Sequence, residues 1–197
     1  VDIHNTIARR IRELRDAKGW SLEALAERSK VSRSNISLIE RGQSSPTAVV
    51  LDRLATALGV SLASLFEQPE STTTAEPSPR ASFSEQSLWT DPESGYIRRN
   101  LSPHVPSPLQ LVEVRFPPGR QVAYETGLRD ADIHQQIWII EGRMQVTAGN
   151  DRWDLETGDC LAMKLDCPIV YRNCSRKPAR YLVALSKSLS GGTWSSS

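Results

Sequence analysis

Two unlike textures divide the sequence and predict a two-domain α plus β protein, with an all-helical unit in front of a β-sandwich or small barrel. Three observations carry this expectation. Residues 3–66 place apolar side chains every three or four positions between Ser and Gly punctuation. Residues after Leu88 fall into short β-branched or aromatic runs separated by Gly, Pro, Asn and Asp. Between them, QPESTTTAEPSPRASFSEQS (68–87) is dominated by Ser, Thr, Pro, Glu and Ala, with Phe83 as its one large apolar residue, which is the composition of a tether. The expected division is a helical domain at 1–67, a flexible linker at 68–87, a β domain at 88–190 and a loose tail at 191–197, where Trp194 can still dock.

The helical unit reads in order. Ile3, Ile7, Ile11 and Leu14 recur at helical spacing through Lys18, with Arg9, Arg10, Arg12 and Arg15 between them, and Gly19 stops that helix. Ser21 can cap a second helix through Leu25 and Ala26, and Ser32 a third running to about Arg41, because each hydroxyl accepts from otherwise unpaired first-turn amides. Gly42 ends the third. Thr47 to Leu58 makes a fourth, closed by Gly59, and Ser61 to Phe66 a short fifth. In the β region the runs LQLVEVRF, IWIIEG, MQVTA, RWDLETGD, CLAMKL, PIVYRN and ARYLVAL each suit one strand.

Composition narrows the function classes. No apolar run approaches the roughly 20 residues that a membrane helix needs. Net charge is +1, and its distribution is even: residues 1–68 carry ten Lys and Arg against eight acids, the rest 14 against 15. Bulk charge therefore announces no nucleic-acid partner, and such a role must rest on where the basic side chains lie. Cys160, Cys167 and Cys174 lack the CxxC spacing of a zinc site and read as small core or loop residues. With an odd cysteine count and no signal-like opening, the expectation is a reducing cytoplasm; because numbering begins at Val1, an initiator or short leader is expected before it.

The stretch VSRSNISLIERG (31–42) is the functional clue, because a buried helix would carry more apolar side chains. Helix, tight turn through Lys30 and Val31, then a helix with a polar outer face is the plan of a helix-turn-helix, whose second helix enters the major groove of double-stranded DNA. Ile36 and Ile39 face inward, which turns Arg33, Ser34, Ser37 and Asn35 outward beside the cap Ser32. Arg33 suits bidentate pairing with guanine, and the smaller polar residues suit bases or phosphates. The alternatives are a merely solvated face or a protein-binding module. Over its whole length, RIRELRDAKGWSLEALAERSKVSRSNISLIERGQSSPTAVVLDRLATALGVSLASLF resembles the five-helix, lambda-repressor-like DNA-binding domain of the XRE family. That resemblance implies a Glu40–Arg15 pair fastening the third helix to the first, Gly42 ending the recognition helix, and Pro46 starting the next loop. It also implies phosphate contacts from Ser21, Arg41 and the loop from Gln43 to Ser45. Many members place Gln where this chain has Leu22, so that phosphate contact is not expected here.

Residues 109–186 resemble a cupin, a double-stranded β-helix or jelly roll, through PPG (117–119), IIEG (139–142), TGD (157–159) and the strand ending at Asn173. An XRE domain followed by a cupin is a familiar architecture of bacterial transcription regulators. Metal cupins use two His and a Glu in a first motif and a His in a second. Here the carboxylate position holds Gln135, the residues before it offer Asp130 and Asp132 but no His pair, the second-motif position holds Ile169, and His134 falls on the opposite strand face. No metal and no cofactor are expected. The barrel interior then reads either as a packed core or as a pocket for a small organic effector. As a pocket it would draw on Gln135, Ile137, Ile169 and Tyr171, with Tyr124, Trp138, Met144 and Met163 near the mouth and Arg115 or Glu113 matching the ligand's charge. The sequence thus predicts an operator-binding regulator, homodimeric through its cupin sheets because palindromic half-sites call for two recognition helices. A metal-dependent cupin enzyme with an accessory DNA-binding domain is the rival, and it lacks its ligand set.

Overall fold

The computed structural model describes residues 2–67, 78–125 and 133–187. Four α-helices build the first domain. α1 (Ile3–Ala17) starts where the Asp2 carboxylate accepts from the His4 amide. Ser21, Ser32 and Thr47 accept from the amides of Ala24, Asn35 and Val50 at the starts of α2 (Leu22–Ser29), α3 (Arg33–Glu40) and α4 (Ala48–Leu58). These side-chain oxygens satisfy donors that the helix itself leaves open. The expected fifth helix is instead a single 3₁₀ stretch, Leu62–Phe66, capped by Ser61. Five residues are too few to establish the α ladder, and this piece is held by burial of Ala63, Leu65 and Phe66. Ile7, Ile11, Leu25, Ile36, Leu51 and Leu54, each at most 1% exposed, close the core between the helices.

Two antiparallel sheets build the second domain. The larger runs in the order β1 (Leu88–Thr90), β2 (Ile97–Asn100), β3 (Leu109–Phe116), β10 (Ala179–Lys187), β5 (Ile133–Glu141), β8 (Cys160–Lys164). The smaller runs β4 (Gln121–Tyr124), β9 (Ile169–Arg172), β6 (Arg143–Ala148), β7 (Asp151–Glu156). From β3 onward the chain passes repeatedly between the two sheets, the pattern of a cupin-like jelly roll. The seven runs read from the sequence became β3 and β5 to β10; β1, β2 and β4 went unread because LWT, IRRN and QVAY are short and partly polar. Gly142 sits between β5 and β6 at φ +85°, where a Cβ would lie 2.8 Å from the Pro178 carbonyl oxygen, so only glycine lets that turn pass under the strand entry. Asn173, fully buried, ties the turn after β9 to β3 by donating to the Phe116 and Lys177 carbonyls.

The domains pack directly on each other. Asp91, in the turn after β1, accepts from the Ala48 amide at 2.9 Å and so adds a carboxylate to the positive end of α4, while its other oxygen accepts from Ser94. Phe66 of the 3₁₀ stretch meets Trp89 edge-on at 5.5 Å, Trp89 meets Tyr96 at 5.7 Å, and Tyr96 stacks on Phe116 at 5.6 Å. This aromatic row runs from the helical domain into the sandwich. Arg53 of α4 reaches both carboxylate oxygens of Glu125 at 3.2 Å. The composition of the linker made a rigid coupling of the two parts less obvious, and the described residues on either side of it share a partly aromatic interface.

Candidate functional site

The first candidate surface is the outer face of α3. The helix presents its N-terminus outward: Ser32, Arg33 and Ser34 are exposed, Asn35 and Ser37 half-buried, and Ile36 and Ile39 fully buried beneath them. Between α2 and α3, Lys30 adopts the left-handed conformation at φ 57°, the one non-glycine to do so among the described residues. Ser29 steadies that turn by donating to the Leu25 carbonyl at 2.7 Å and accepting from the Val31 amide. Arg15 grips Glu40 through Nε and Nη2 at 2.7 and 2.8 Å, which fixes the angle of α3 against α1. Arg33 forms an ion pair with Glu23 of α2, both side chains exposed. The Glu23 backbone amide, the larger influence, and that pairing hold the Glu23 carboxyl below its ordinary range. Ser21, Arg41 and Gln43 are exposed and flank α2 and α3 in the chain, Ser45 is exposed just beyond them, and Leu22 is packed against the core. At the end of α3, Gly42 turns the chain at φ +67°, and a Cβ there would press on the Asn5 amide oxygen at 2.9 Å.

The second candidate is a cavity of about 70 Å³ at the mouth of the sandwich, where the helical domain forms part of the wall. Asp52 of α4 and Ser61, Leu62 and Ala63 line it from one side. Tyr96, Tyr124, Tyr171 and Tyr181, which are all four tyrosines of the chain, line it from the other. Tyr96 and Tyr124 share a hydroxyl–hydroxyl hydrogen bond at 3.0 Å, and Gln135 donates to the Tyr171 hydroxyl at 2.6 Å. Burial pushes the Tyr96 phenol up to about 12 and those of Tyr124 and Tyr181 well above their ordinary value. Arg98, 6% exposed, also lines the cavity, with its guanidinium carbon 4.9 Å from the centre of the Phe66 ring. Its Nε and Nη2 have no hydrogen-bond partner among the described residues. Burial pulls the Arg98 guanidinium below its ordinary range, and the groups that oppose this are the four tyrosines.

The cavity brings together Tyr124, Gln135, Ile169 and Tyr171 of the residues read from the sequence. Ile137 and Met144 are buried in the core away from its wall, and Met163 is half-buried against that core. Trp138 stands on the outer face of the larger sheet, 47% exposed, because β5 alternates strictly and its inward positions are Gln135, Ile137 and Ile139. Arg115 and Glu113 line a separate pocket of about 110 Å³ with Leu88, Ile97 and Arg99, and Glu113 is held by Arg180 at 2.6 Å. The charged residues on the cavity wall are Arg98 and Asp52, and the sequence reading missed both. In YIRRN the apolar residue invites an inward Ile97, yet the strand turns Tyr96 and Arg98 inward and Ile97 outward. The signal that was available is the alternation of Tyr96, Arg98 and Asn100 itself. Glu125 is engaged by Arg53, and Asp130, Asp132 and Trp194 lie outside the described residues. Among the described residues no three His, Cys, Asp or Glu side chains are grouped as a metal site. Cys160 and Cys174 are exposed and Cys167 half-buried, so none is a core residue.

Residues 11–65 match the helix-turn-helix family HTH_3. The chain is similar to the HTH-type transcriptional regulator SutR of Escherichia coli (strain K12), 24% identical over 163 residues that span 83% of this chain and 84% of that protein. It is 35% identical over 72 residues to the uncharacterized HTH-type transcriptional regulator y4dJ of Sinorhizobium fredii (strain NBRC 101917 / NGR234), covering 36% of this chain and 94% of that protein. In fold it is similar to the crystal structure of an HTH_3 family transcriptional regulator from Vibrio cholerae, with a TM-score of 0.71, 23% identity, and coverage of 93% of this chain and 96% of that one. No helix among the described residues is long and apolar enough to cross a membrane.

Proposed function

This chain belongs to the HTH_3 (XRE) family of helix-turn-helix transcriptional regulators, and from that premise we propose that it binds an operator as a homodimer and that a small molecule in its cupin-like domain adjusts that binding. The observation that carries the reading is the composition of the cavity wall. Asp52, Ser61, Leu62 and Ala63 belong to the DNA-binding domain, so a ligand filling the cavity touches that domain directly. Coupling requires that the ligand bind the DNA-competent and DNA-incompetent arrangements with different affinity, and a cavity shared by two domains changes shape whenever they shift. Two recognition helices set about one helical turn apart supply the length of sequence that one helix cannot read.

In this reading Arg33 exchanges Glu23 for a base edge when the operator is engaged, with Ser32, Ser34, Asn35 and Ser37 around it. Ser21, Arg41, Gln43 and Ser45 take the phosphates, which position the domain without reading sequence. A genome-wide footprint in the host, which works whatever the ligand is, makes the first test: a few palindromic sites beside one operon are expected, and an absence of enriched sites would remove the operator-binding role. On the site so found, Arg33→Ala is expected to cost about 1 to 3 kcal/mol and to relax one base position. A loss that is uniform across altered sequences would move Arg33 from base readout to phosphate contact.

A further inference from the structure

Among the described residues, Arg15, Arg180 and Arg98 compare at the same edge, Nε with Nη2, and the first two edges are filled. Arg15 offers Nε and Nη2 to the two oxygens of Glu40, and Arg180 offers the same pair to Glu113. Arg98, which lines the cavity, has the corresponding edge unfilled: both nitrogens are enclosed and neither is hydrogen-bonded by any described residue. Two guanidinium nitrogens kept from water without hydrogen-bond partners are costly, so a strand that delivers them beside a cavity has a use for them. The side-on edge of a guanidinium matches the spacing of two carboxylate oxygens.

We propose that the cavity binds a small organic acid, its carboxylate seated bidentately on Arg98 Nε and Nη2 and its short apolar body lying among Val114, Phe116, Ile169, Val183 and Leu185. Volume sets the size. At roughly 10 to 15 Å³ for each water-sized group, the cavity holds on the order of five to seven non-hydrogen atoms, which is a carboxylate carrying about two to four further carbons. Position sets the consequence: Phe66, which lies under the Arg98 guanidinium, belongs to the DNA-binding domain, so neutralising that charge acts on the domain boundary itself. The inference rests on the effector reading above and adds the chemical class of the effector.

Calorimetric titration of the full chain with propionate, butyrate and valerate, each beside its primary amide, tests it without DNA. At least one acid is expected to bind saturably and at least about tenfold more tightly than its amide, since the amide lacks the charge that the bidentate pair requires. Arg98→Met, which keeps the length of the stem, is expected to remove that preference; should the variant not fold, the acid–amide comparison on the unaltered chain decides alone. An amide or an amine that binds as well as the acid overturns the proposal, as does an acid that binds Arg98→Met undiminished, or no acid binding up to about 10 mM. Equal stabilisation by sodium chloride would mark a site for inorganic anions and overturn the organic body. Adding operator DNA separates the two claims: an acid that binds and leaves operator affinity unchanged sinks the effector role alone, whereas a neutral or cationic compound that shifts operator affinity sinks the carboxylate alone.

Discussion

Glu40 and Arg15 illustrate how one side-chain pair sets the aim of a helix. Both are largely buried, at 8% and 11% side-chain exposure, and the Glu40 hydrogen bond is the main cause that raises the Arg15 pKa. Glu40→Ala would leave a buried guanidinium facing a gap and is expected to cost about 3 kcal/mol, read as a lower urea midpoint at unchanged slope. A shift below about 1 kcal/mol would mean that the bonds Arg15 Nη1 already makes to Asp16 and the Trp20 carbonyl suffice to hold the guanidinium. The buried phenols give a second residue-scale expectation. Tyr96, Tyr124 and Tyr181 have folded pKa values above the ordinary 10.0, so the native state keeps protons that the unfolded chain releases. Stability is therefore intact below pH 10 and falls as pH rises from about 10 toward about 12. Tyrosinate absorbance should appear together with the loss of circular dichroism; tyrosinate forming before any unfolding would show the phenols to be open to solvent. At this scale Arg15–Glu40 and Gln135 came through resemblance, Gln135 as the residue at the cupin carboxylate position, and Tyr171 as an inward barrel position. Arg98 stayed hidden, because a charged residue beside an isoleucine is ordinarily placed outward, and its burial depends on neighbours from β3, β10 and the 3₁₀ stretch that no local pattern contains.

Lys30 concentrates the strain of the helix-turn-helix in one element. A side chain at φ 57° sets Cβ against the following carbonyl, a penalty that glycine does not incur. Lys30→Gly is expected to stabilise the domain by about 0.5 to 1 kcal/mol, with part of the relief offset by the greater freedom of glycine in the unfolded chain. A lower melting temperature would show that the lysine stem packs in a way its exposure does not suggest. The helices were legible because caps and periodicity agree: Ser21, Ser32 and Thr47 stand immediately before α2, α3 and α4, and Gly59 immediately after α4. The last segment was legible in place though not in type, since Ser61 caps an α-helix and a 3₁₀ stretch alike. Strands β1, β2 and β4 escaped because pieces of three or four residues carry too few alternations to stand out from loop sequence.

Across the whole molecule the decisive feature is the seam between the two domains, where Asp91 accepts from the first amide of α4 and the Phe66–Trp89–Tyr96–Phe116 row crosses from one core into the other. Asp91→Ala would leave the Ala48 amide and the Ser94 side chain without their acceptor. The expected result is a loss of about 1 to 3 kcal/mol and the division of one calorimetric transition into two. A single unshifted transition would assign the cohesion to the aromatic row. None of this seam was legible, because two domains separated by a Ser/Thr/Pro-rich stretch read as tethered bodies, and nothing in either pattern announces that their faces fit. The gathering of every tyrosine at that seam has a practical outcome. Grown on fluorotyrosine, the chain would carry four fluorine nuclei, all of them on the cavity wall. Each resonance could be assigned by one Tyr→Phe substitution, and the spectrum would follow events at the domain boundary with no background from the rest of the protein.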